Sequence, residues 1–243
     1  MDRSARAVFD CAQGTKIFGV NTDQWLQRTT DYSDRLQALT ATGQFPRILL
    51  AQANPIEFMA GFMAACRAEC PVFVGNPAWS IQEWQQALQI TQPHQVWGTL
   101  PPSVEWQPPT TTHPGERGWI MIATGGSSGK LKFAIHTWQT LTAAVDGFQS
   151  FFVTPTIDSC CVLPLYHVSG LMQFMRSLLT GGKLVVLPFA ELIQGQSRDS
   201  QWNEFLAAES AIPQTFYLSL VPTQLQRLLQ HPQRVAWLQR FRT

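Results

Sequence analysis

The sequence predicts an α/β fold of mainly parallel sheets flanked by helices, arranged as two sub-lobes. Three observations carry that expectation. Short apolar runs alternate with amphipathic segments in a strand–helix rhythm. A proline- and threonine-rich stretch interrupts the rhythm near the middle. Apolar residues make up 45% and charged residues 14% of 243 positions, which is ample for a sizeable core.

From Asp23 to Thr40, Trp25, Leu26, Leu36 and Leu39 sit in a helix-compatible polar background. Arg47–Ala51 reads as a strand, and Asn54-Pro55 opens a helix through Glu69, with proline in the first turn behind an asparagine cap. Its positions Phe58, Phe62, Ala65 and Cys66 make one apolar stripe. Pro71–Val74 is the next strand, Ser80 caps Ile81–Ile90, and Gln95–Gly98 is a further short strand. This alternation implies a parallel sheet covered on both faces, and defines a first sub-lobe over residues 1–99. Leu100 to Gly115 carries five prolines and three consecutive threonines, Thr110 to Thr112. The expected connector is 100–117, with a second sub-lobe over 118–243. There, Gly118–Ile122 and Phe133–Thr137 are strands, and Thr137 caps a helix with Leu141, Ala144, Val145, Phe148 and Phe152 at helical spacing. Cys160–Leu165 reads as a buried strand, and Ser169–Leu179 as a helix stopped by Gly181-Gly182. Lys183–Leu187 and Thr215–Val221 are strands. Pro222-Thr223 opens a helix over Gln224–Gln230, and a last helix lies near Arg234–Arg240.

A formal net charge of +1 with no basic face gives a nucleic-acid partner no electrostatic support. No apolar run nears membrane-spanning length, and Met1-Asp2-Arg3-Ser4 leads into no apolar signal segment, so the expected location is cytoplasmic. Five cysteines without regular spacing argue against a disulfide framework. Cys66 and Cys70 lie one helical turn apart with no histidine pair at ligand spacing. We read them as buried thiols, expect no metal site, and assign none of the cysteines as a nucleophile. The sequence leaves the oligomeric state open.

The stretch that organises the chain is Ala123-Thr124-Gly125-Gly126-Ser127-Ser128-Gly129-Lys130-Leu131-Lys132, held between two strand candidates. Glycines let backbone N–H groups turn toward an anion, hydroxyls add donors, and lysines add charge. That is phosphate-binding chemistry. The P-loop pattern is excluded, because Gly129-Lys130 is followed by Leu131 and a strand follows rather than a helix. A second constellation, Leu163-Pro164-Leu165-Tyr166-His167-Val168-Ser169-Gly170-Leu171, leaves a strand and enters a helix, where open α/β sheets place their ligands. A third, Ser219-Leu220-Val221-Pro222-Thr223-Gln224-Leu225, does the same.

The glycine-rich string resembles the T-S-G-[ST]-T-G-x-P-K-G signature of adenylate-forming acyl-CoA synthetases, with Thr124, Gly126, Ser127, Gly129 and Lys132 on matching positions. Gly125 replaces Ser, Ser128 replaces Thr, Leu131 replaces Pro and Phe133 replaces Gly. The second constellation resembles the P-[LF]-[FY]-H-x-x-G-[LM] segment of the same enzymes, in which the positions of His167 and Ser169 face the acyl substrate and Gly170 follows. The third resembles the turn lining the same pocket, through Ser219, Val221, Pro222 and Thr223. The resemblance covers about residues 45 to 243. It implies the N-terminal domain of an adenylate-forming enzyme, with ATP, Mg²⁺ and CoA as cosubstrates and an aromatic carboxylic acid as substrate. Thr124 to Gly129 would hold the phosphates and Lys132 would stabilise developing charge. It also implies that the adenine and ribose contacts, the Mg²⁺-binding acid and a small lysine-bearing domain belong after Thr243. On this reading the chain alone is inactive. The rival readings are a synthetase for another acyl or aryl acid, a carrier-protein adenylation domain, a noncatalytic nucleotide-binding module, and a phosphate-binding α/β protein with a chance match.

Overall fold

A computed structural model describes residues 3–11, 17–18, 21–110, 114–124, 130–187, 189–190, 216–230, 232–239 and 241. Two sheets organise them. The first has five strands in the order β4-β2-β3-β5-β6: β2 (Ile48–Ala51), β3 (Val72–Val74), β4 (Gln95–Gly98), β5 (Trp119–Thr124) and β6 (Lys132–Thr137). Its pairings are parallel except β5 with β6, which form an antiparallel hairpin. The second sheet is all parallel, in the order β1-β8-β7-β9: β1 (Ile17–Phe18), β7 (Asp158–Cys161), β8 (Leu184–Val186) and β9 (Phe216–Leu218).

Side-chain alternation along each strand sorts the core into layers. Leu50, Val74 and Ile122 are in register across β2, β3 and β5, and all belong to the central core. Leu49, Phe73 and Met121, one residue back on each strand, belong instead to the core beneath α4 (Ile81–Thr91). The central core also holds Cys161, Leu184 and Tyr217 of the second sheet, together with Phe9 and residues of four longer helices. They are α2 (Thr22–Thr40), α3 (Pro55–Arg67), α5 (Trp138–Phe152) and α6 (Val168–Thr180). On the outer face of the second sheet, Cys160, Val162, Val185 and Phe216 pack with Leu228 of α7 (Pro222–Leu229) and Phe241, which follows α8 (Pro232–Leu238). Cys160 and Cys161 thus point to opposite faces, as adjacent strand residues must.

Local signals place most helix starts where the sequence predicts them. Asn54 accepts hydrogen bonds from the N–H groups of Ile56 and Glu57, with Pro55 at the first helical position. Ser80 and Glu83 form a reciprocal capping box, and so do Thr137 and Thr140. Helix α6 ends on Gly181 with φ +68°, the left-handed conformation that glycine takes at least cost. Helix α3 departs from expectation. The single stripe becomes burial all round, because Phe58 through Ala65 are all buried between the two sheets. Each large apolar side chain fully removed from water contributes about 1.5–3 kcal/mol.

Three further expectations are corrected. The sheets do not divide at 100–117: β5 and β6, from the expected second lobe, complete the first sheet, while β1, from the expected first lobe, edges the second. The reason is that the apolar run of β5 pairs with β3, so β5 and its hairpin partner β6 extend the first sheet. The strand expected over Cys160–Leu165 ends at Cys161, since Pro164 carries no N–H for a ladder and its carbonyl instead accepts from His167 N–H at 3.0 Å. Thr215–Val221 shortens to Phe216–Leu218, with Thr215 outside the described residues. Two elements had no sequence signal: β1 and the helix α1 (Ala5–Cys11).

One polar clamp crosses the first sheet's amino edge. Arg47, 9% exposed at its side chain, donates Nε and Nη2 to the two carboxylate oxygens of Glu116 at 2.7 and 2.6 Å. Its Nη1 donates to the Thr91 carbonyl at 3.1 Å. The bidentate geometry ties β2 to the turn that leads into β5.

Candidate active site

The carboxyl ends of the parallel strands deliver the three constellations, on two different sheets. Thr124 closes β5 and Lys132 opens β6; the two are cross-strand partners, and both are exposed. The Thr124 hydroxyl donates to the Lys132 carbonyl over a long 3.4 Å. Gly125, Gly126, Ser127, Ser128 and Gly129 lie outside the described residues. Lys130, exposed, and Leu131 lead back into β6.

The exit from the hairpin is held from below by residues that sequence reasoning missed. Leu131 and Phe133 both pack against the core under α4. The Phe133 ring stands edge-on to Phe73 and Trp79, at centroid distances of 5.4 and 6.4 Å. Edge-to-face pairs of this kind add about 0.5–1.5 kcal/mol beyond the area they bury. The Leu131 N–H donates to Gln86 Oε1 of α4 at 3.1 Å. The two departures from the synthetase signature, Leu131 and Phe133, are therefore both absorbed by packing on α4. No local signal points to Gln86, which lies 45 residues away in the chain.

The other two constellations come together on the second sheet. Strands β7 and β9 are parallel neighbours, with Cys160 opposite Leu218, so the turn after β7 and the turn beginning at Ser219 share one sheet edge. His167 is the N-cap of α6, in extended conformation and with no side-chain capping bond. It is exposed, with its ring 4.8 Å from that of Tyr166. Partial burial pushes its pKa below the ordinary 6.5, so the imidazole is neutral at pH 7. Ser169 and Val168 are exposed in the first turn of α6, while the Ser169 carbonyl accepts from Gln173 Nε2 at 3.2 Å. Gly170 is buried, and a Cβ there would sit 2.2 Å from the Pro164 carbonyl oxygen. It allows the helix start to rest directly on the preceding turn. Val221, Pro222 and Thr223 are exposed at the start of α7, and Ser219 is half-buried. The hairpin does not share this edge, as a single-sheet reading would have it, because β5 belongs to the other sheet.

Among the described residues, other clefts lie away from these edges. Two, of about 730 and 340 Å³, open at the amino edge of the first sheet, near Glu69, Arg117 and Gly118. Their size suits a small molecule. Two ion pairs lie among their lining residues: Arg117 pairs with Glu69, and Arg67 lies 3.5 Å from Asp10. At the carboxyl edges, by contrast, hydroxyls, Lys132 and an imidazole stand exposed. The described cysteines do not compete for a role. Burial raises all four thiols, Cys70 and Cys161 to about 12, so they stay protonated. Among the described residues, no group of three or more His, Cys, Asp or Glu is placed to hold a metal ion. No helix among them is long and apolar enough to cross a membrane.

Residues 90–242 match the family model described as AMP-binding enzyme, well over half of the chain. The chain belongs to the AMP-binding enzyme family. Among curated members, the 2-succinylbenzoate–CoA ligase of Salmonella typhimurium is 35% identical over 144 residues, 59% of this chain and 26% of that ligase. The mitochondrial malonate–CoA ligase ACSF3 of Mus musculus is 32% identical over 118 residues, 48% of this chain and 19% of that protein. The chain thus spans about a quarter or less of the length of these two relatives. Among solved structures, the inhibitor-bound N-terminal domain of FACL13 from Mycobacterium tuberculosis aligns with a TM-score of 0.69 at 17% identity. That alignment covers 97% of this chain and 67% of that one. The α/β architecture, with a parallel-dominated sheet flanked by helices, is that of N-terminal domains of adenylate-forming enzymes. The family's members use ATP and CoA with carboxylic acid substrates.

Proposed function

We propose that this chain belongs to an ATP-dependent ligase that activates 2-succinylbenzoate as an acyl adenylate and passes it to CoA, in menaquinone or phylloquinone synthesis. In the first half-reaction the acid's carboxylate attacks the α-phosphate of ATP and pyrophosphate leaves. In the second, the CoA thiol attacks the acyl carbon and AMP leaves. Negative charge builds on the phosphates in the first step, and preorganised donors lower its barrier. We assign that task to Thr124, to the glycines and hydroxyls of 125–129, and to Lys132. Mg²⁺ arrives with the nucleotide as part of the substrate.

The observation that carries the choice of acid is the chemistry of the second sheet's edge. Tyr166, neutral His167, Val168 and Ser169 lie beside Ser219, Val221, Pro222 and Thr223, with Val168 50% and Val221 42% exposed. Neither turn contains lysine or arginine. An apolar rim with neutral polar anchors suits the flat ring and ketone of 2-succinylbenzoate, which malonate lacks, although both acids bring a second carboxylate. The identity to malonate–CoA ligases keeps the smaller diacid as the second reading.

Calorimetric titration of the chain tests both parts, with tripolyphosphate as the phosphate probe and 2-succinylbenzoate and malonate as acids. Tripolyphosphate is expected to bind, and Lys132→Ala to weaken it about tenfold, as expected for one lost charge-assisted contact. Melting temperature should not move, since Lys132 is exposed. Absent or Lys132-independent tripolyphosphate binding overturns the phosphate assignment, and preferred binding of malonate hands the acid site to the smaller substrate.

A further inference from the structure

We infer that Gln86 is a positioning residue for the phosphate hairpin, holding its exit strand in place of the proline that the synthetase signature carries at the position of Leu131. The inference rests on the reading of the hairpin as the phosphate site. Proline at that position fixes φ near −65° and has no N–H to satisfy. Leucine restores both a free φ and a donor, and the donor sits in a partly buried setting where an unmade hydrogen bond is costly. Gln86 answers the second need: its Oε1 accepts from Leu131 N–H at 3.1 Å, across 45 residues. Packing of the Leu131 side chain and of Phe133 on Phe73 and Trp79 answers the first, by fixing the strand that a proline ring would have stiffened.

The geometry explains why this matters for binding. Leu131 and Phe133 face the core under α4, and strand alternation turns Lys132 to the opposite side. Lys132 pairs in register with Thr124, so both hairpin ends are aimed together. A loosened Leu131 lets Lys132 wander relative to Thr124. Gln86 itself is half-buried on α4, on the face of the strand opposite to Lys132, so it acts through Leu131 rather than on a ligand.

A double-mutant cycle tests this in the 243-residue chain: Gln86→Met, Leu131→Pro and the pair together. The readouts are amide hydrogen exchange at Leu131 and Lys132, tripolyphosphate affinity and thermal melting. Gln86→Met should speed exchange at both amides and weaken tripolyphosphate binding about threefold to tenfold, the range for one lost hydrogen bond, with little change in melting temperature. In the Leu131→Pro background the same substitution should cost nothing further, because there is no N–H left to hold. Gln86→Glu, which keeps an acceptor oxygen, should retain exchange protection at Leu131, and this arm stands even where Leu131→Pro does not fold. Unchanged exchange in Gln86→Met, or an equal loss of affinity in both backgrounds, overturns the inference. If the unaltered chain binds no tripolyphosphate, the phosphate reading falls, while the exchange data still decide whether Gln86 holds the strand.

Discussion

The two sheets hold the turns at their edges by different means. On the first, long-range side chains act as struts: Gln86 reaches the hairpin exit, Phe133 is wedged between Phe73 and Trp79, and Arg47 clamps Glu116 at the base. On the second, backbone rests on backbone. Gly170 at the start of α6 lies against the Pro164 carbonyl, and Gly182 just after its end lies against that of Ile157, where a Cβ would sit 2.1 Å away. The first arrangement leaves exposed hairpin residues free to vary in chemistry while buried struts keep their place. The second fixes where His167 and Ser169 stand by removing any room for adjustment.

The sharpest way to break the comparison is to add one methyl group at the second sheet's contact. Gly170→Ala should destabilise the chain by about 4 kcal/mol or prevent folding, because the clash is with a carbonyl that cannot rotate away. Urea unfolding measures it. A loss below about 1 kcal/mol would mean that α6 can slide, and the claim of a fixed His167 turn would go with it.

The first sheet's counterpart is Glu116→Ala. This strands the Arg47 guanidinium, 9% exposed, without its carboxylate. The expected cost is about 3 kcal/mol, the scale for breaking a buried pair by removing one partner. Restoring the acceptor partly, with Glu116→Gln, should recover some of it. If neither variant moves the urea midpoint, the strut description of the first sheet fails.

The smallest effect concerns pH. Burial lowers the folded-state pKa of His167 below its ordinary 6.5, so the unfolded chain binds more protons in the window just below that value. His167 therefore contributes stability above pH 6.5 that is lost as pH falls through the folded pKa. The gap in melting temperature between pH 7.5 and pH 5 should narrow in His167→Gln, and only slightly, because the side chain is exposed. An identical gap in both proteins would remove His167 from the pH response.

Signals confined to neighbouring residues were readable without the structure. The Asn54, Ser80 and Thr137 caps, the Gly181 stop and the alternating faces of Cys160 and Cys161 depend only on nearby residues. The same holds for the glycine-rich stretch, whose residue types suggest phosphate chemistry, whereas the acyl reading of the other two constellations comes from the family resemblance. Burial of α3 on every side was not readable, since a stripe and an all-round core differ only in what packs against the far face.

The sequence by itself determined the element types, the strand–loop–strand and strand–turn–helix frames around Lys132 and His167, and the family resemblance. Local backbone preferences and hydrogen-bonding needs are satisfied within a few residues, so they are written locally. Tertiary structure alone decided that β5 joins β3, that a two-residue strand near the N-terminus edges the second sheet, and that the β7 and β9 turns become neighbours. It alone brought Gln86 beneath Leu131. Strand partners are chosen by which apolar faces bury one another across tens to hundreds of residues, and no spacing rule within a segment encodes that choice.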